Sequence, residues 1–365
     1  MIKILTIVGA RPQFVKASAI SRAIKTLYTK KISEIIVHTG QHYDDNMSSS
    51  FFKDLSIPEP KYNLGISGGN HGQMTGRMIE KIESVLMLEN PDWVLLYGDT
   101  NSTLAGAIAA VKLEVPIAHV ESGLRSRNMK MPEEVNRILT DRVSSVLFCP
   151  TELAVANLLK EGIHKNVYNV GDVMYDNAIF YGANALENAD IKKYLGQSSQ
   201  FILTTIHRAE NTDSRSKLLE ILKSLDHLAK DFPVIFPIHP RTLFAIKKYG
   251  YDQYMNNIYV CEPLSFFEMI MLEKASSIII TDSGGVQKEA FFYKTQCLTI
   301  RDETEWEETI RSGVNRLVPA KMESIVNQVY SIITESNSRG FETKPYGNGD
   351  SALKIINQML SLTVR

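Results

Sequence analysis

Ile278-Ile-Ile-Thr-Asp-Ser-Gly-Gly-Val-Gln-Lys-Glu289 is the stretch on which the fold turns. Its apolar, β-branched opening reads as a strand buried on both faces. Ser283-Gly284-Gly285 reads as a tight turn, followed by a helix that Ser283 can cap. Glycines let an anion approach the backbone, and the helix start offers N–H groups and a favourable dipole. Glu289 lies about one and two-thirds turns up that helix, where a carboxylate could accept from both hydroxyls of a ribose. An N-cap on a packing turn would explain the same residues without a ligand. The binding reading is preferred because open α/β sheets take ligands at the carboxyl ends of their strands.

The same strand, turn and helix unit recurs along the chain. Apolar runs occupy Ile2 to Val8, Glu34 to His38, Trp93 to Tyr97, Ile117 to Val120, Val146 to Cys149 and Val167 to Val170. A second series covers Phe201 to Ile206, Val234 to Ile238, Ile258 to Cys261, Ser277 to Thr281, Cys297 to Ile300 and Arg316 to Val318. Helix-like stretches separate them, among them Asn101 to Leu113, Glu133 to Val143, Ser216 to Leu228 and Gly285 to Phe292. Continuous apolar strands alternating with helices predict parallel sheets covered on both faces. Two series predict an α/β chain of two Rossmann-like doubly wound domains, residues 1–171 and 172–351. The amphipathic segment from Ala352 to Leu362 predicts a final helix.

The chain has 365 residues, enough for two domains with sizeable cores. Forty Lys and Arg against 41 Asp and Glu leave a formal charge of −1, which argues against a nucleic-acid partner. Cys149, Cys261 and Cys297 form no CxxC pair, and no HExxH occurs, so no disulfide framework or metal site is expected. The apolar start is interrupted by Arg11, and no run approaches a membrane span, so a cytoplasmic protein without a membrane partner is expected. Neither GxGxxG nor a Walker A lysine motif is present, so no NAD or P-loop ATP site is supported and no cofactor is expected.

Other polar clusters stand where ligands would meet strand ends. Gly9-Ala-Arg-Pro-Gln-Phe-Val-Lys16 follows the first strand, and Arg11 and Lys16 suit a phosphate. Gly98-Asp99-Thr-Asn-Ser, His119-Val-Glu121-Ser-Gly-Leu-Arg125, Ile206-His207-Arg208-Ala-Glu210-Asn and Ile238-His239-Pro-Arg241 each end a predicted strand. Pro132-Glu133-Glu134-Val-Asn-Arg137 opens a helix, where an acid such as Glu133 could simply favour the first turn. Caps and turns account for any one of these; five together are expected to face one crevice between the domains. A helix-terminus phosphate site, a ribose-type carboxylate and several further carboxylates suit a nucleotide-linked substrate. They fit a glycosyltransferase and an epimerase alike.

These motifs closely resemble the non-hydrolysing UDP-N-acetylglucosamine 2-epimerase family over nearly the whole chain. Its further markers are Gly40-Gln-His, Tyr97-Gly-Asp-Thr-Asn-Ser-Thr, Thr281-Asp-Ser-Gly-Gly-Val-Gln-Lys-Glu and Pro345-Tyr-Gly-Asn-Gly. The resemblance implies two Rossmann-like domains facing across a cleft, as in B-type glycosyltransferases. It also implies a homodimer and a last helix that packs back onto the first domain. UDP would leave C1 to give a 2-acetamidoglucal and then re-add to the C2 epimer. By motif match, Asp99, Glu121 and Glu133 are acid–base candidates, and His207 would help the diphosphate depart. Arg11, Lys16 and Arg137 would supply positive charge, Ser283, Gly284 and Gly285 would hold the diphosphate, and Glu289 the ribose. Gln41, His42 and Gln73 match a second UDP-sugar site that activates some relatives.

Two departures stand out. Thr304-Glu-Trp306-Glu-Glu308 carries tryptophan where the family commonly has arginine near the sugar nucleotide, exchanging a charge for a stacking face. Ala10-Arg-Pro-Gln13 replaces the common Thr-Arg-Pro-Glu. Both resemble the branch acting on UDP-2,3-diacetamido-2,3-dideoxyglucuronate. Rival readings are a hydrolysing epimerase, a B-type glycosyltransferase and a nucleotide-sugar sensor.

Overall fold

The computed structural model describes residues 1–41, 52, 55, 57–188, 194, 200–335 and 339–363. The chain divides into one unit of Met1–Asn177 with Pro345–Arg365 and another of Ala178–Lys344. Each is a parallel sheet flanked by helices, so the chain consists of two Rossmann-like units.

In the first unit the strands are β1 (Ile2–Val8), β2 (Ile32–His38), β3 (Tyr62–Asn63), β4 (Trp93–Tyr97), β5 (Ile117–Val120), β6 (Val146–Cys149) and β7 (Val167–Asn169). All pair in parallel, in the order β3-β2-β1-β4-β5-β6-β7. The direction of winding therefore reverses between β1 and β4, the switch point at which such sheets open a crevice. On one face, Leu5, Ile7, Val94 and Leu96 pack with Met78, Ile82, Ala105 and Ala109 from helices His71–Glu89 and Asn101–Lys112. The alanine-rich second helix lies close to the sheet. A Cβ on Gly106 would stand 2.7 Å from Leu96 Cδ2 and 2.9 Å from Ile7 Cδ1.

The second unit contains β8 (Ile202–Thr205), β9 (Val234–Pro237), β10 (Tyr259–Cys261), β11 (Ile278–Thr281), β12 (Cys297–Ile300) and β13 (Asn315–Val318). Their parallel order, β10-β9-β8-β11-β12-β13, puts its switch point between β8 and β11. Strand periodicity explains the apolar run that opens β11. Ile278 and Ile280 join one core layer with Leu218, Leu222 and Ile325, while Ile279 joins Leu203, Leu272 and Ala290 on the other side.

The apolar runs lie within a residue or two of the strands in both series. The two-residue β3 escapes the pattern because its register spans only Val37 to Tyr62 and His38 to Asn63. The final helix, Ser351–Leu362, packs within the first unit through Ile355, Ile356 and Met359. Asp176 accepts from the N–H groups of Ser351 (3.1 Å) and Ala352 (2.8 Å) and so satisfies that helix's first turn. Gly171 and Gly347, both at positive φ, let the two chain passages approach; a Cβ on Gly171 would stand 2.7 Å from the Tyr346 carbonyl oxygen.

Asp176→Ala should cost about 2 kcal/mol by leaving two buried N–H groups without an acceptor. Asp176→Asn, which keeps an acceptor oxygen, should lose less. Thermal unfolding of the two variants checks the order, and equal midpoints would show that the cap does not hold this helix.

Candidate active site

At the β1 to β4 switch point the backbone is stitched by Gln13. Its carboxamide oxygen accepts from Gly9 N–H (2.8 Å) and Ala10 N–H (3.1 Å). Its amide group donates to the Tyr97 carbonyl (2.9 Å) and to Thr103 Oγ1 (3.0 Å). An amide fills all four roles; an ionised glutamate at this position could not donate. The departure at Gln13 thus has a local account in the turn itself. Arg11 is half-buried in the first turn of helix Arg11–Leu27.

Beside this turn the strand ends carry paired charges. Arg137, from helix Pro132–Val143, donates to Asp99 Oδ2 (2.5 Å) and to Glu134 Oε2 (3.0 Å). Lys16 Nζ meets Glu121 Oε1 at 2.7 Å, with both side chains largely buried. Glu121 follows β5 with φ +70°, an arrangement that costs a non-glycine residue roughly 1–3 kcal/mol. The Phe148 carbonyl accepts from both Glu121 and Ser122 N–H at 3.1 Å and holds the bend. Gly98, at φ +62°, precedes Asp99, and a Cβ there would stand 3.1 Å from Lys16 Nζ. Asp99, Glu121, Lys16 and Arg137 are therefore brought into one charged group.

Glu133 is exposed, and none of the described hydrogen bonds or ion pairs involves it. Its neighbour Glu134 is the buried one, accepting from Ser126 N–H (2.9 Å), Arg127 N–H (2.8 Å) and Arg137. Burial works to raise the Glu134 pKa, but these donors outweigh it and hold the carboxyl below its ordinary 4.5. Glu134, Arg137 and Asp141 recur at helical spacing on a buried face, and that spacing was the available signal for Glu134. Asn136 donates to the Asp99 carbonyl (2.9 Å).

Gln41 is turned inward: its carboxamide oxygen accepts from Ser102 N–H (3.0 Å) and Ser102 Oγ (2.7 Å). Gln73 is exposed near the start of its helix, where its oxygen accepts from Asn70 N–H at 3.4 Å. His42 lies outside the described residues.

The second unit has its own cluster at the β8 to β11 switch point. Asp282, fully buried after β11, accepts from His207 N–H (3.0 Å), Arg208 N–H (3.0 Å) and Asn211 Nδ2 (3.0 Å). The His207 ring also faces it, Nδ1 to Oδ1 3.3 Å. Burial lowers the His207 pKa, opposed by Asp282 and assisted by His239, Arg208 and Arg241. Asp282 thus fixes the loop that carries His207, a role its acidic chemistry alone did not reveal.

Ser283 caps helix Gly284–Phe292, accepting from Val286 N–H at 3.5 Å. A Cβ on Gly284 would stand 2.6 Å from Glu305 Oε1, the movable end of that side chain, and Gly285 is exposed. Glu289 hydrogen-bonds Glu273. Burial is the main cause that raises both pKa values; the neighbouring Glu289 carboxyl adds to it for Glu273, while Lys288 opposes it for Glu289. Trp306 is buried, with Lys288 Nζ 3.8 Å from the ring centroid, so the protein's own ammonium occupies a ring face.

Among the described residues no group of three His, Cys, Asp or Glu side chains could hold a metal ion. No helix among them is long and apolar enough to cross a membrane.

Two Rossmann-like units with charged clusters at both switch points define an enzyme of the B-type glycosyltransferase-like class. The profile of a family described as UDP-N-acetylglucosamine 2-epimerase matches residues 25–360. The chain belongs to that family. It is 50% identical to the UDP-2,3-diacetamido-2,3-dideoxy-D-glucuronate 2-epimerase of Pseudomonas aeruginosa, over 99% of this chain and 100% of that protein. It is 42% identical to the UDP-N-acetylglucosamine 2-epimerase of Methanocaldococcus jannaschii, over 97% and 98%. Among solved structures, the M. jannaschii UDP-GlcNAc 2-epimerase in complex with UDP-GlcNAc and UDP superposes with a TM-score of 0.89 at 40% identity, covering 99% of this chain and 100% of that one. The Neisseria meningitidis UDP-GlcNAc 2-epimerase bound to UDP-GlcNAc gives 0.88 at 29%, covering 99% and 100%.

A carboxyl whose folded pKa lies below its unfolded value adds stability above the unfolded value and loses it as pH falls through the folded one. Glu134→Gln should therefore shrink the drop in thermal midpoint between neutral pH and pH values below the ordinary 4.5. An undiminished drop would show that the Glu134 charge does not support the network.

Proposed function

We propose that this chain reversibly epimerises C2 of a UDP-N-acetylhexosamine, converting UDP-GlcNAc to UDP-ManNAc. The carrying observation is that Asp99 and Glu121, on adjacent strand ends of one unit, are each paired with a buried cation. In the first half-reaction the C1–O bond breaks and its electrons leave with UDP. The C2 proton passes to a carboxylate, and a C1–C2 double bond forms. In the second, UDP adds back to C1 while a proton returns to the opposite face of C2. Asp99 and Glu121 serve the two faces in this reading, with Glu133 as a further acid–base candidate. Lys16 and Arg137, with Arg11, would keep the carboxylates placed and offset negative charge.

The second unit's cluster supports the nucleotide end. His207, Ser283, Gly284 and Gly285 would receive the diphosphate, and Glu289 the ribose hydroxyls. The Glu289 carboxyl would accept from the ribose hydroxyls. Trp306 would act here indirectly, through the Lys288 ammonium stacked on it. By the family resemblance, a second UDP-sugar would act as an activator at Gln41, His42 and Gln73. The same resemblance implies a homodimer, for which exposed Met87 and Leu88 offer apolar surface. Free cysteines at 149, 261 and 297 support a cytoplasmic setting.

A second substrate is favoured by one specific observation. The relative named for UDP-2,3-diacetamido-2,3-dideoxy-D-glucuronate is 50% identical, against 42% for the M. jannaschii enzyme named for UDP-N-acetylglucosamine. Turnover of the two UDP-sugars in parallel decides between them. Conversion of neither would contradict the reading.

Asp99→Asn and Glu121→Gln should each lower kcat by about 100-fold or more, with UDP affinity unchanged by calorimetry. Wild-type turnover in both would remove the acid–base assignment. Glu289→Ala should weaken UDP binding in the same assay, and unchanged affinity would remove the ribose role.

A further inference from the structure

His119 has no accessible surface, yet both of its ring nitrogens face acceptors. Nδ1 lies 2.7 Å from Asp141 Oδ1, and Nε2 lies 2.8 Å from the carbonyl oxygen of Gly98. Asp141 continues the chain with its other oxygen, which meets Arg125 Nη1 at 2.8 Å and accepts from Gly123 N–H at 3.1 Å. Arg125 in turn holds Glu161, at 2.7 and 2.8 Å. Asn157 takes the Gly123 carbonyl at 3.0 Å.

The two backbone groups gripped by this chain bracket the carboxylates. Gly98 immediately precedes Asp99, and Gly123 follows Glu121 by two residues. Both glycines sit at positive φ, +62° and +80°. A Cβ on Gly123 would stand 2.4 Å from the Ala154 carbonyl oxygen, so that bend admits no side chain. The three residues of the chain come from different places: His119 from β5, Arg125 from the segment after it, and Asp141 from helix Pro132–Val143. That same helix supplies Arg137, which holds the Asp99 carboxylate itself.

Stability alone is a poor account of such a cluster. Buried ion pairs are often replaceable by apolar side chains of similar volume at little cost. What apolar residues could not do is grip the backbone of both strand ends at once.

We propose that His119, backed by Asp141, is a positioning residue that fixes the Asp99 and Glu121 carboxylates relative to each other. The Nε2 donor sets the Gly98 carbonyl and hence the start of Asp99. Asp141 sets Gly123 and hence the bend that begins at Glu121. The inference rests on the acid–base roles proposed for those two carboxylates.

Two substitutions separate the donors of the ring. The glutamine amide stands near the place of Nε2, and the asparagine amide near that of Nδ1. His119→Gln therefore keeps the donor to Gly98, and His119→Asn keeps only the donor to Asp141. The expected result is a kcat about 100-fold lower in His119→Asn, with KM and UDP affinity unchanged and most of the activity retained in His119→Gln. A purely structural role predicts equal thermal destabilisation and equal kcat per folded molecule in the two variants; that outcome, or wild-type kcat in His119→Asn, overturns the proposal. Should His119→Asn not fold, Asp141→Asn reads the chain from its other end, with the same fall in kcat expected and wild-type kcat contradicting it. Asp99→Asn is run alongside. If Asp99→Asn is fully active, the acid–base reading fails; if it is inactive while His119→Asn is not, only the positioning claim fails.

Discussion

Arg137 holds two carboxylates at once. Its guanidinium meets Asp99 at 2.5 Å and Glu134 at 3.0 Å while itself nearly excluded from solvent. A fork of this kind can serve two acids from one helix position, which a lysine could not do with the same geometry. It fixes the end of β4 against helix Pro132–Val143, and Glu134 extends the hold to the backbone of Ser126 and Arg127. Removing Arg137 would leave the buried Glu134 and the half-buried Asp99 without their shared cation, the situation that makes such networks cooperative. The Lys16 to Glu121 pair and the His119 to Asp141 chain complete an arrangement in which no buried acid in this group stands apart from a donor.

The second unit solves a different problem with a related device. Its buried carboxylate, Asp282, is spent on the loop that carries His207 rather than displayed to solvent. Glu273 and Glu289 lie against each other, burial raises the pKa of both, and Lys288 tempers the second of the pair. Lys288 also stacks on Trp306. The tryptophan at position 306 therefore does not leave the region without a cation near it. The positive charge comes from the neighbouring helix, and the aromatic ring holds it in place.

Most of the architecture was legible in the amino-acid order. Apolar runs such as Trp93 to Tyr97 and Cys297 to Ile300 mark strands because a doubly covered sheet needs both faces apolar. Strand ends rich in Asp, Glu and His located both switch-point clusters. The burial of Glu134 rather than Glu133 was legible only through the helical spacing that Glu134 shares with Arg137 and Asp141, because neighbouring acids differ only in which side of the helix faces inward. The roles of Asp141 and Asp282 were hidden for a related reason: their partners are backbone N–H groups and side chains distant in sequence. In the sequence Gln13 only resembles one branch of the family, and its four hydrogen bonds give it a physical reason.

In the proposed reaction paired carboxylates move a proton at C2 of a sugar that leaves UDP and rejoins it, with no free sugar as the product. Proton NMR of UDP-GlcNAc and of its diacetamido-glucuronate counterpart, each incubated with the protein in D2O, tests it most directly. The expected result is deuterium at C2 in both epimers of the accepted substrate, each recovered as a UDP-sugar. No deuterium at C2 with either compound, or release of free sugar and UDP as the product, would contradict it.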